Sequence, residues 1–404
     1  MASPTSSPPT SSPTSSPLRD AIAARVGRGE FPGVVAVVAR GDDVAVHTVG
    51  VTRFGGDVPM RRDTPFRITS MTKPVLAAAA LMLAEDDRLD LEEPVVKLLP
   101  ELAGQRVLRR PGGPLGDTTG AVRPITVEDL LTFTLGFGFV LDGDRIDPPW
   151  PIVEASRELG LALAEPDPRT QHGPDEWLRR FGSLPLIHQP GETWMYNVGT
   201  LVLGALLARA DGRPLAEVLH DRVFAPLGMA GTGFWLPAAR AAELPALYLT
   251  DPATGTLDER TVSGPEVWVT PPPFPSGSGG LVSTADDYLA FARMLLDGGT
   301  YGGTRLLSRQ SVAAMTSNHL TPAQIESGGF LLGGSGWGYG LAVTVETDEV
   351  SPPGRYGWSG GYGTTWFNDP NEGLVAIVLS QVGDLLWGGA LPEFNRLSYA
   401  EGRA

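Results

Sequence analysis

The sequence predicts an α+β fold: an antiparallel sheet built from N- and C-terminal strands, flanked by helices, with a mainly helical subdomain inserted. Three observations carry this reading. Strand-like runs cluster before residue 52 and after residue 336. The stretch between them is mostly helical apolar runs separated by long Pro- and Gly-rich loops. The strands do not alternate with helices in βαβ fashion, and short connections between strands favour antiparallel neighbours.

The elements follow in order. Residues 1–17, MASPTSSPPTSSPTSSP, are nearly all Ser, Thr, Pro and Ala. Such a segment buries too little apolar surface to offset its ordering entropy, so a disordered tail is expected. Residues 18–28 suit a short helix, and 33–40 and 44–51 read as two strands joined by the turn Gly41-Asp42-Asp43. Helical patterns follow at 75–86, 127–133, 198–210, 215–223 and 284–297. Residues 337–346, 355–368 and 373–381 read as three more strands, separated by Gly, Pro and Asp. One catalytic unit, 18–404, is expected. Its sheet subdomain takes about 18–84 plus 276–404, and its helical subdomain about 85–275.

Composition excludes several classes of function. With 404 residues and 42% hydrophobic content, the chain can bury a large core. Its net charge of −15 repels nucleic acid and anionic membranes. The absence of cysteine removes disulfides, thiol catalysis and thiolate metal sites. The histidines, His47, His172, His188, His220 and His319, show no i, i+3 or i, i+4 spacing and no H-E-x-x-H, so no metal site is expected. No cofactor is called for either. There is no apolar run of secretory type and no 18-residue apolar window, so the expected location is cytoplasmic.

Two serines compete for a catalytic role. Gly357-Trp358-Ser359-Gly360-Gly361 fits G-x-S-x-G, the nucleophile elbow of α/β-hydrolases. That fold places its histidine after the serine, yet the last histidine is His319, and the following GYGTTWFNDP is strand-like rather than helical. The other serine lies in Ile68-Thr69-Ser70-Met71-Thr72-Lys73-Pro74, an S-x-x-K ahead of the apolar run VLAAAALMLA. Pro74 is tolerated only near a helix start, so the helix should begin at about Ser70. Residues three apart on a helix lie about 5–6 Å apart at Cβ, so the Lys73 amine can reach the Ser70 hydroxyl. A charged lysine cannot accept a proton; it needs burial that lowers its pKa or a neighbour that accepts instead. Gln189-Pro190-Gly191-Glu192-Thr193-Trp194-Met195-Tyr196-Asn197 offers Tyr196, whose phenol is expected to have its pKa lowered by Lys73.

SMTK, a tyrosine after Q-P-G-x-x-W, and a late W-S-G together resemble the three motifs of the serine β-lactamase and penicillin-binding superfamily. The likeness is strongest to its class C-like branch and the family VIII carboxylesterases. It runs through PFRITSMTKP, ITVEDLLTFTLGFG, LPLIHQPGETWMYN, VFAPLGMAGTGFW, GSGGLVSTADDYLAFARMLLDGG and YGWSGGYGTTWFNDP. The resemblance implies that Ser70 is the acylated nucleophile, Lys73 its proton-accepting partner and Tyr196 a base cooperating with Lys73. It implies an oxyanion hole from the backbone N–H groups of Ser70 and Gly361. Trp358, Ser359 and Gly360 would border the acyl pocket, with Asn197 beside Tyr196; apart from the resemblance, Phe133 and Tyr362 are expected, as aromatics, to line an acyl or alcohol pocket.

Two departures bear on the substrate. Val198, not asparagine, stands two residues after Tyr196, and Trp358 stands where the third motif carries lysine. Without that cation a β-lactam carboxylate loses a charge-assisted contact of about 1.5–3 kcal/mol. Both changes point to uncharged esters, with water as the second reactant. The same scaffold also accommodates a β-lactamase, D-aminopeptidase, amide hydrolase or acyltransferase, or an inactive binding homologue. Against the last stand Ser70, Lys73 and Tyr196, all present.

Overall fold

The computed structural model describes residues 16–401 apart from 144, 162–171, 252–253, 261–263 and 348–349. Residues 1–15 of the expected tail lie outside the described residues. Ser16 belongs to the fold: its hydroxyl caps the first helix, α1 (Pro17–Gly27), by accepting from the Arg19 N–H. Proline at the first helical position is pre-organised for that role.

Strands β1 (Gly33–Arg40) and β2 (Asp43–Gly50) form a hairpin whose turn carries Gly41 at φ +53°. Helices α2 (Thr72–Glu85), α3 (Val127–Leu131), α4 (Val198–Asp211) and α5 (Ala285–Leu296) follow. The remaining strands of the main sheet are β3 (Gly336–Trp337), β4 (Ala342–Val343), β5 (Tyr356–Gly360), β6 (Thr364–Asp369) and β7 (Leu374–Leu379), before the last helix, α6 (Ala390–Ala400). The sheet runs β3-β4-β5-β6-β7-β1-β2, antiparallel throughout, and β1 pairs with β7 in the register Val35↔Leu379 to Arg40↔Leu374. The two ends of the chain thus share one sheet, as the residue pattern predicts.

Helices cover both faces, which is why β1 reads GVVAVVAR with no polar alternation. Val35, Val37, Trp366 and Ile377 face the core containing α2, α4 and α5, while Val34, Ala36, Phe367 and Val378 face Leu18 and Ile22 of α1 and Phe394 of α6. Helix α2 is buried from Thr72 to Leu83, so its apolar residues run all the way round.

Three element boundaries differ from expectation. Residues 355–368 form a hairpin, β5 and β6, because Gly363 at φ +87° turns the chain and its N–H donates to the Gly360 carbonyl. Residues 337–346 split into β3 and β4 at Gly340, φ +72°, where the backbone lies close against α2. The 215–223 helix changes pitch at His220, from α (Leu215–Leu219) to π (His220–Phe224). Between α2 and α5 the chain is not purely helical; it includes three two-stranded ribbons, Arg106–Leu108 with Thr118–Gly120, Leu141–Asp142 with Arg145–Ile146, and Tyr248–Thr250 with Leu257–Glu259.

Candidate active site

Ser70 sits in a single 3-10 turn, Thr69–Met71, that runs straight into α2. The chain reaches it through Thr69 at φ +41°, an unfavourable conformation for a β-branched residue, and the Thr69 hydroxyl is buried without a hydrogen-bond partner among the described residues. Of five non-glycine residues with positive φ among the described residues, Thr69, Phe133 and Asn197 all lie at this site. Strain of this kind collects where a fold holds functional groups in place.

Lys73, on the first turn of α2, is fully buried. Its Nζ lies 3.0 Å from Ser70 Oγ and 2.6 Å from the Ser278 carbonyl, and 4.5 Å above the Tyr196 ring centroid. Burial holds its pKa well below the usual lysine range. A neutral amine can give one N–H to the Ser278 carbonyl and still offer its lone pair to the Ser70 O–H. Tyr196 shifts the opposite way from expectation. Burial pushes its phenol above the usual tyrosine range, with hydrogen bonds to Ser70 and Trp358 pulling more weakly downward. Burial thus moves both groups toward their neutral forms, against the expected acidic phenol beside a lysine cation, because desolvation penalises the charged form of each.

Trp358 stands at the position of the third-motif lysine and binds Tyr196 instead. Its indole N–H donates to the Tyr196 hydroxyl at 2.7 Å. Phe133, Trp194 and Trp337 back the tyrosine ring, with centroids 5.7, 5.6 and 6.4 Å away. The Trp337 indole N–H is itself held by the Leu131 carbonyl at the end of α3. This aromatic box fixes Tyr196 at the Ser70 side of the sheet.

The end of β5 meets the serine turn closely. A Cβ on Gly360 would collide with the Ile68 carbonyl and the Thr69 hydroxyl, so glycine is what allows the approach. The end of β5 thus lies against the turn that carries Ser70.

The other expected substrate contacts sort differently. The Ser359 side chain lies on the opposite sheet face from Trp358, bonded to Thr365 Oγ1 at 2.9 Å, as strand alternation requires. Phe133 is completely buried behind Tyr196, and Tyr362 is buried near Arg67. Asn197 is also buried; its carbonyl accepts from the Ser278 hydroxyl at 2.5 Å. Ser278 is the residue that the sequence reading missed. It joins Asn197 to Lys73 through its hydroxyl and carbonyl, and Thr200 Oγ1 lies 2.9 Å from its hydroxyl. GSGG was visible, but a backbone carbonyl leaves no mark in residue type.

A second serine grouping is a false lead. Ser16 Oγ, His47 and Glu401 are mutually bonded, but serine and carboxylate both contact His47 Nε2, at 3.1 and 3.0 Å. A relay needs one on each ring nitrogen.

Residues 18–398 match the Beta-lactamase family. The chain belongs to that family. Among relatives, esterase EstB of Burkholderia gladioli is 30% identical over 86% of this chain and 85% of its own. Protein Rv1367c of Mycobacterium tuberculosis is 39% identical, covering 87% and 86%. Lovastatin esterase of Penicillium rubens is 30% identical, covering 82% and 84%. Among solved structures, EstCE1, described as a hydrolase with promiscuous acyltransferase activity, superposes with a TM-score of 0.78 at 24% identity, covering 95% of this chain and 97% of its own. The Beta-lactamase-family scaffold and these esterase-type relatives make the chain a serine hydrolase-type enzyme.

Proposed function

We propose that this chain hydrolyses carboxylic esters through an acyl-enzyme on Ser70, with Lys73 and Tyr196 as the proton-transfer pair. The observation that carries the reading is the buried Lys73 amine, 3.0 Å from Ser70 Oγ and shifted toward its neutral form. Lys73 takes the Ser70 proton as Oγ attacks the ester carbonyl. The N–H groups of Ser70 and Gly361 receive the developing oxyanion. The intermediate collapses, the C–O bond to the alcohol breaks, and the proton on Lys73 passes to the leaving oxygen, with the Tyr196 hydroxyl as the bridge. Water then repeats the sequence on the acyl-enzyme, its proton moving to Lys73 and on to Ser70 Oγ.

Trp358 favours esters over β-lactams. It brings an apolar ring and a neutral N–H to the place of the third-motif lysine, and that N–H is already engaged by Tyr196. The test compares a chromogenic ester with a chromogenic cephalosporin, using wild type and Ser70→Ala. Ester turnover that vanishes in Ser70→Ala, with cephalosporin kcat/KM at least about tenfold lower, is expected from the lost charge-assisted contact. Cephalosporin as the better substrate would overturn the ester reading.

A further inference from the structure

The aromatic wall around Tyr196 continues to the surface. Three aromatic side chains are exposed among the described residues, and two of them, Phe330 and Trp387, touch. Their ring centroids are 6.1 Å apart at 66°, edge to face, although Phe330 is 39% exposed and Trp387 64% exposed. Two large rings left in water against each other are unfavourable unless something else covers them.

Their roots lie in two different parts of the fold, one at the Tyr196 cluster and one beside Gly361. Phe330 belongs to the short helix Gly329–Leu332, whose Leu331 and Leu332 pack into the cluster holding Tyr196, Trp337 and Trp358. Trp387 stands just past the turn Gly383–Leu385, and Gly383 lies against the Gly361 carbonyl. One ring therefore rises from the tyrosine wall and the other from the Gly361 wall. Their backbones are jointed by glycine. Gly328-Gly329 and Gly333-Gly334 bracket the Phe330 helix, with φ of +50° at Gly329, +54° at Gly333 and +85° at Gly334; Gly388-Gly389 follows Trp387, with φ +78° at Gly389. The base of the Phe330 arm is fixed, since Ser327 Oγ accepts from the Trp194 N–H at 3.2 Å.

We propose that Phe330 and Trp387 form an aromatic clasp over the mouth of the Ser70 site and close on the apolar arm of the substrate. The ring-on-ring contact is the resting state; an extended or bulky hydrocarbon group exchanges it for a larger buried apolar area. The inference rests on the ester reading and adds a substrate class to it: esters with a long apolar acyl or alcohol group.

The experiment measures kcat/KM for Trp387→Ala, Phe330→Ala and the double variant on two series. One is 4-nitrophenyl acetate, butyrate and octanoate; the other is acetate esters of alcohols of increasing length. The octanoate-to-acetate ratio, or its counterpart in the alcohol series, should fall about tenfold in each single variant, mainly through KM. The series that responds identifies the arm that is held. The double variant should fall little further, since the two rings act as one contact. Both rings are exposed, so melting temperatures should stay within about 2 °C. Ratios unchanged in both series would overturn the clasp. So would variants that only convert an oligomer to a monomer, which would mark the pair as a subunit contact. Wild type silent on every ester would contradict the ester reading and the clasp together.

Discussion

At Lys73 one structural fact, burial, bears on both stability and the proposed chemistry. The side chain is buried, so the charged form is penalised and the pKa is lowered, which favours the base role proposed for the amine. In the unfolded chain the same lysine titrates near its usual value of about 10.4. Between the lowered folded value and that value, the unfolded state binds the extra proton, so stability rises with pH across the window. The penalty is absent above the unfolded value, grows as pH falls, and levels off below the folded one. Lys73→Met should therefore gain melting temperature relative to wild type as pH is lowered from 9 to 6. It should also lose at least about 10²-fold in kcat at every pH. The acid limb of the wild-type kcat/KM profile should lie far below the ordinary lysine range, and no basic limb from Tyr196 should appear below the ordinary tyrosine range. A stability difference independent of pH would show that Lys73 is charged in the folded protein.

At the scale of elements, the site depends on how closely β5, the Ser70 turn and α4 converge. Gly360 is the tightest joint, since any Cβ there meets the Ile68 carbonyl and Thr69. Gly360→Ala should push the strand end and Gly361 away from Ser70, lowering kcat by at least about tenfold, as misplacing one oxyanion donor does, with KM changing less. Steady-state kinetics read this, and kcat within twofold of wild type would remove Gly361 from the oxyanion hole. Much of the architecture was legible. The strands at both ends, the helix after SMTK and the helix after Tyr196 announce themselves by period and by proline or glycine punctuation. The β5–β6 hairpin was missed as one strand, although Gly360-Gly361-Tyr362-Gly363 carries a turn signal, because the aromatic and threonine residues on both sides are equally strand-like. Ser359 was misplaced for a related reason. A period of two decides its face, and only the register with Thr365 shows that it points away from Ser70.

For the whole molecule, the ends of the chain complete the scaffold behind the site. β1 lies between β7 and β2, and the Ser16, His47 and Glu401 side chains tie the start of α1 to the edge strand and the residue after α6. Ser16→Ala removes a helix cap and a partner of Glu401, so it should reduce stability by about 1 kcal/mol in thermal or denaturant unfolding. Its kcat/KM should match wild type; a kinetic defect at unchanged stability would give this serine a chemical role. Ser70, Lys73 and Tyr196, which the fold brings together, could be singled out although Lys73 and Tyr196 stand 123 positions apart, because each lies in a local pattern of distinctive residue types. The direction of the Tyr196 pKa shift was not readable, since burial belongs to the assembled core and not to any one segment.

The central claim, that Ser70 and not Ser359 carries the acyl group, is tested most directly by labelling wild-type protein with a phosphonate ester inhibitor and locating the adduct by peptide mass spectrometry. Ser70 is the only one of the two whose hydroxyl lies beside Lys73, while that of Ser359 is on the far face of the sheet. A single adduct on the Ser70 peptide, lost in Ser70→Ala and retained in Ser359→Ala, is the predicted result. An adduct on Ser359, or one that survives Ser70→Ala, would contradict it.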